Sequence, residues 1–156
     1  MRKVPITRYG HHRLLKELVY LRRVVRPAVL EELREARAFG IKIDNQQYLL
    51  ARERHLVLEK KIRDLDEKLS HCEIFAGRKF TFKQVGFGAT TRIQNVDTGE
   101  KCLFQLVGPY ESDITNGKLS IESPLGSCLM GRCEGEDVTV CTPAGIRVYR
   151  ILTIEV

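Results

Sequence analysis

Few residues of this chain combine a reactive side chain with a spacing that suggests chemistry. The stretch "AFGIKIDNQQY", residues 38–48, joins two long helix-like segments and carries a single carboxylate, Asp44, between apolar Ile41 and Ile43. Five cysteines are present, an odd number with no C-x-x-C pair. That pattern argues against a disulfide framework and against a zinc site, and it predicts reduced, mostly buried thiols. His11 and His12 are adjacent, so on a helix they face different directions and disfavour a shared metal ion. No metal site is expected. The other chemistry is charge. Residues 1–76 hold 17 Lys+Arg against 11 Asp+Glu, while residues 77–156 hold 9 of each, so the whole net charge of +6 belongs to the first half. Such an asymmetry fits a polyanion such as nucleic acid near that half, or a solvated helical surface.

The elements that would position these residues follow from periodicity. Tyr48, Ala51, His55, Leu58, Ile62, Leu65, Leu69 and Cys72 recur at alternating spacings of three and four, a heptad seam. Leu14, Leu18, Leu21, Val25 and Ala28 repeat the pattern, which then shifts by one to Val29, Leu33 and Ala36. Thr7 suits the start of this helix. Pro27 falls inside it and predicts a kink that would account for the shift. Two such helices with a short connection predict an antiparallel coiled-coil hairpin, each arm about 30 residues and ~45 Å long. So long a hairpin buries only a narrow seam and is expected to protrude. At its turn, Asp44 as N-cap with Gln47 three residues on would form a capping box, Ile43 and Tyr48 a hydrophobic staple, and Gly40 a left-handed end to the first arm.

After residue 76 the texture changes to period-two, β-branched runs separated by turn signals at Asp97-Thr98-Gly99, Gly108-Pro109, Asn116-Gly117 and Pro143-Ala144-Gly145. "SPLGSCLMG" predicts one short helix, with Ser123 as N-cap, Pro124 at its first position and Gly131 past its end. The expected fold class is α+β: a hairpin domain over 1–76 and a small antiparallel β-sheet domain with one helix over 77–156. No apolar run approaches the ~18 residues of a membrane span, and no signal peptide is visible, so no membrane partner and a cytoplasmic location are expected.

The wording along nearly the whole chain resembles the Gre family of bacterial transcription elongation factors, GreA and GreB, nearer the GreA side. The shared stretches include "PITRYG", "LLKELVYL", "RRVVRPAV", "DNQQY" with "ARER", "VGFGAT", "SIESPLGSCLMG" and "EGEDVTVCTPAGIRVYRILTIE". The resemblance implies an FKBP-like second domain that docks on RNA polymerase at the mouth of the secondary channel, while the coiled coil enters. The tip would carry an acidic pair to the polymerase active centre, helping to hold a second Mg²⁺ while the polymerase hydrolyses the extruded nascent RNA 3′ end. The factor would be no enzyme itself but an accessory to that hydrolysis, a monomer with no stably bound cofactor and Mg²⁺ only in the polymerase.

Family frame residues Gly40, Asn45 and Tyr48 are present, which aligns the first acidic position with Ile41 and the second with Asp44. Isoleucine offers a metal no oxygen, and aspartate is one methylene shorter than the family's glutamate. The resemblance further assigns RNA or polymerase contact to Arg37, Arg52, Asn45 and Tyr48, and polymerase docking to Ser123, Pro124 and Leu125. Arg22, Arg23, Arg26, Lys60, Lys61 and Arg63 would extend a basic patch or form solvated faces. Two functions are thus open: an elongation factor acting on backtracked or paused complexes, with cleavage weakened by Ile41, or a non-cleaving channel binder that competes with or inhibits polymerase or true Gre factors.

Overall fold

A computed structural model describes residues 3–38, 45–75 and 84–155. The chain forms two compact units, Tyr9–Cys72 and a second that unites Met1–Arg8 with Glu73–Val156. The expected division at residue 76 lies outside the described residues, and the N-terminal strand belongs with the C-terminal half rather than with the hairpin that follows it.

In the hairpin unit the first arm comprises α1 (Arg8–Tyr20), a π-helical turn (Leu21–Val25) and α2 (Arg26–Ala38), and the second arm is α3 (Gln46–His71). Leu18 and Leu21 of the first arm bury against Leu58, Ile62 and Leu65 of the second, flanked by Leu14, Val25, Val29 and Leu69. The kink expected at Pro27 takes the form of the π turn. Proline has no N–H to donate and its ring crowds the carbonyl four residues earlier. Immediately before it, the Arg26 N–H reaches back to the Leu21 carbonyl, five residues away. One such turn carries one residue more than an α turn, which moves the seam from Val25 to Val29. Ala28, expected in the seam, is exposed instead. Four ion pairs cross between the arms: Arg22–Asp66 (3.4 Å), Arg26–Glu59 (2.6 Å), Lys61–Glu17 (3.4 Å) and Arg54–Glu32.

The other unit holds a two-stranded ribbon of β1 (Val4–Ile6) with β2 (Cys72–Ile74) and a five-stranded sheet in the order β5-β4-β3-β7-β6. Its strands are β3 (Thr90–Asn95), β4 (Lys101–Val107), β5 (Lys118–Ser120), β6 (Asp137–Thr142) and β7 (Gly145–Glu155). The strands foreseen from the period-two runs are present, and the α+β class holds. The sheet is not wholly antiparallel, however: β5 runs parallel to β4. Between them the chain makes two 3₁₀ turns, Pro109–Glu111 and Ile114–Asn116, a crossover long enough to reverse direction. The helix α4 (Pro124–Leu129) packs Leu129 onto a core of Val85, Ile93, Leu106, Leu119, Val138, Val140 and Ile151.

A carboxylate ties β1 into this unit. Glu111 Oε1 accepts from the backbone N–H of Thr7 (2.9 Å) and of Gly108 (3.1 Å), and Oε2 accepts from the Thr7 hydroxyl (2.6 Å). A Cβ on Gly108 would fall 1.9 Å from the Pro5 carbonyl oxygen, so only glycine permits this close approach.

Candidate functional site

The turn of the hairpin is held by one side chain. Asn45 is the N-cap of α3: its Oδ1 accepts from the Tyr48 N–H at 3.1 Å, while its Nδ2 donates to the Ala36 carbonyl at 3.2 Å. The last carbonyls of α2 and the first amides of α3 lack partners within their own helices. A primary amide has both a donor and an acceptor to give, so Asn45 serves one orphan group on each arm. A carboxylate could cap α3 but would present only acceptors to the Ala36 oxygen. This is why the cap falls on Asn45 and not on Asp44 as the sequence suggested. The capping box with Gln47 and the staple between Ile43 and the fourth helical residue lapse with that shift, since Tyr48 is now the third residue of the helix.

Behind Asn45, small residues let the arms close. Leu33, Ala36 and Ala51 are buried together, Ala51 at 1% exposure, with Tyr48 packed over them. The Arg37 guanidinium lies over the Tyr48 ring, 6.0 Å from its centroid, and this cation–π contact holds the last turn of α2 on the first turn of α3. The structure thus brings Arg37, Asn45 and Tyr48 together. Arg52 is exposed on α3. Ile41 and Asp44 lie outside the described residues, as does Gly40 with its expected left-handed end.

The remaining candidates divide by their contacts. Arg22, Arg26 and Lys61, candidates for a basic patch, are committed to carboxylates of the opposite arm. Arg23, Lys60 and Arg63 are exposed and make no ion pair among the described residues. His55 Nε2 sits 3.5 Å from Glu59 Oε1, and the hydrogen bond from Arg26, opposed by partial desolvation, holds the Glu59 carboxyl below its ordinary range. Among the described residues no group of three or more His, Cys, Asp or Glu is placed to hold a metal ion.

In the other unit, Ser123 caps α4 as expected: its hydroxyl accepts from Gly126 N–H (3.0 Å) and donates to the Ser120 carbonyl (2.6 Å). Pro124 opens the helix and is exposed, whereas Leu125 is half-buried against the sheet core. Of this trio, then, Pro124 presents the surface and its neighbours set the helix that carries it.

Sequence reasoning passed over an apolar flank on the hairpin. Leu50 and Val57, seven residues apart on α3, are 54% and 63% exposed. They line a groove of about 530 Å³ together with Leu21, Val25, Val29 and Leu58, bordered by Glu53, Arg54 and Lys61. The seven-residue repeat beside the main seam was the available signal.

Two family descriptions match the chain: the N-terminal part of the transcription elongation factors over residues 4–74, and the GreA/GreB C-terminal part over residues 81–156. The transcription elongation factor GreA of Syntrophobacter fumaroxidans is 40% identical over 154 residues, covering 99% of either chain. That of Thermodesulfovibrio yellowstonii is 40% identical over 152 residues, covering 97% of this chain and 96% of its own. Among solved structures, GreA factor homolog 1 of Thermus thermophilus is 26% identical with a TM-score of 0.45, covering 99% of this chain and 100% of that one.

Proposed function

This chain belongs to the GreA/GreB family of transcription elongation factors, and from that premise we propose that it binds bacterial RNA polymerase at the secondary channel and acts on backtracked or paused elongation complexes. The observation that carries the reading is the match of both family halves along almost the whole chain, at 40% identity to named GreA proteins. The hairpin supports it physically. Its arms are locked by a continuous apolar seam, cross-arm ion pairs and the Asn45 clasp, which suits a rod that must carry a tip to a fixed point in a partner.

The work of the tip is to bring oxygen ligands to a metal held by the polymerase, which performs the hydrolysis. Mg²⁺ takes oxygen ligands in near-octahedral geometry, and a second metal in phosphodiester hydrolysis activates the attacking water. Here Ile41 supplies no oxygen, so Asp44 is the one carboxylate this chain brings. Arg37, Arg52, Asn45 and Tyr48 are proposed to flank the RNA 3′ end and the channel wall, and Ser123, Pro124 and Leu125 to dock on the polymerase. Asn45 and Tyr48 act chiefly by shaping the neck. The reading is of a factor that occupies the channel fully and stimulates cleavage weakly.

Transcript cleavage by backtracked elongation complexes, with and without the protein, is the test. Slow cleavage is expected from wild type and a clear rise from Ile41→Asp. No gain from that substitution, in a variant that still co-elutes with core polymerase, would sink the ligand argument and leave a non-cleaving competitor. Failure of wild type to co-elute would overturn polymerase binding itself.

A further inference from the structure

From the apolar groove on the hairpin we infer a second interaction surface, whose partner is another copy of this chain. The two-helix seam covers only the inward positions, and Leu50 and Val57 remain more than half exposed beside Val25 and Val29. Flanks of this kind are covered when two hairpins pack into a four-helix arrangement.

The choice of partner comes from the charges. Glu53, Val57 and Lys61 lie four residues apart on one i±4 row of α3, the row that forms a packing ridge between helices. An antiparallel crossing of two copies with its two-fold axis at Val57 sets Val57 against itself. It also sets Glu53 of each copy against Lys61 of the other, because the two charges are equally far from the axis. A surface that is complementary to itself in this way is the requirement of an isologous dimer. A polyanion or a surface of one sign would meet one end of the ridge favourably and the other unfavourably. Glu53 makes no ion pair among the described residues, and Lys61, although 3.4 Å from Glu17, keeps a side chain 56% exposed. Both charges are therefore presented at the groove. Arg54 is held by Glu32 on the same arm pair and acts as a wall. The inference is independent of polymerase binding. It replaces the expected monomer with a concentration-dependent dimer whose hairpins are mutually covered.

Analytical ultracentrifugation of the full chain under reducing conditions tests it, since five free cysteines could otherwise cross-link copies. Wild type should rise in mean mass toward that of two chains as concentration increases through the micromolar range. Glu53→Lys turns two exposed attractions into repulsions and should weaken dimerisation about tenfold, as should Lys61→Glu. The double variant, Glu53→Lys with Lys61→Glu, restores opposite charges and should recover most of the loss. Val57→Glu should abolish the dimer at the axis. Circular dichroism confirms that each variant keeps its helices. A wild type that stays monomeric at every concentration overturns the proposal, and so does a folded double variant that recovers nothing. If Val57→Glu instead lowers co-elution of a monomeric wild type with polymerase, the groove belongs to the polymerase and the dimer is refuted.

Discussion

Replacing Asn45 by alanine removes two hydrogen bonds that lie on different arms of the hairpin. The cap to the Tyr48 N–H is lost, which costs about 1 kcal/mol in comparable helices. The bond from Nδ2 to the Ala36 carbonyl goes with it, worth about another 1 kcal/mol. Both sites are only part-buried, so water takes over some of each bond, and a total of about 1.5–2 kcal/mol is expected. The two roles separate with other substitutions. Serine keeps an oxygen for the cap and has nothing to span to Ala36, so Asn45→Ser should lose about half as much. Asn45→Asp keeps the cap and adds a favourable negative charge at the helix start, about 0.3–1 kcal/mol, but turns an acceptor toward the Ala36 oxygen. Its helix start should hold while the clasp opens. Because the chain forms two compact units, a single global melting point mixes them. Native-state hydrogen exchange of the Tyr48 and Leu49 amides, with urea unfolding followed by helical circular dichroism, reads the hairpin directly. An Asn45→Ala variant within about 0.5 kcal/mol of wild type would refute the clasp, and a serine variant as weak as alanine would refute the division of roles.

Two further predictions concern other parts of the chain. Gly126→Ala would place a Cβ 2.0 Å from the Ser120 carbonyl oxygen, so α4 must shift off the end of β5; loss of the folded sheet unit, seen as a collapsed methyl NMR spectrum with the hairpin helicity kept, is expected, and a native-like spectrum would contradict it. For Glu59, whose carboxyl the Arg26 hydrogen bond holds below the ordinary range, the stabilisation is present above the unfolded-state value and fades as pH falls through the depressed folded one. The difference in hairpin stability between wild type and Glu59→Gln should therefore shrink from neutral toward strongly acid pH; a constant difference would show that the pair contributes nothing.

The seam of the hairpin was legible because it depends on a period local to each helix. Leu58, Ile62 and Leu65 are buried as their spacing requires. Pro27 announced a break, yet whether Ala28 or Val29 would continue the seam depended on the π turn, which forms only where the opposite arm holds the register. The cap shows the same limit at one residue's scale. Asp44 and Asn45 are both fair caps by type, and the carbonyl of Ala36, nine residues back, decides between them by needing a donor. Glu111 gave no local sign of its role, since its partner Thr7 lies 104 residues away in the chain. The parallel pairing of β5 with β4 was equally hidden, because strand direction follows the path of the 3₁₀ turns between them rather than any side-chain pattern.

The sequence by itself determined the α+β class, the strands and helices with strong periods, the family, and the loss of a carboxylate at position 41. These rest on residue identity and short-range spacing, which no folding is needed to read. Tertiary structure alone decided which carboxylates and arginines are tied across the hairpin, which residue closes its turn, and that Leu50 and Val57 flank an open groove between like-spaced opposite charges. Those outcomes depend on which groups from distant parts of the chain come within hydrogen-bond or packing distance, and that distance is set only when the arms close.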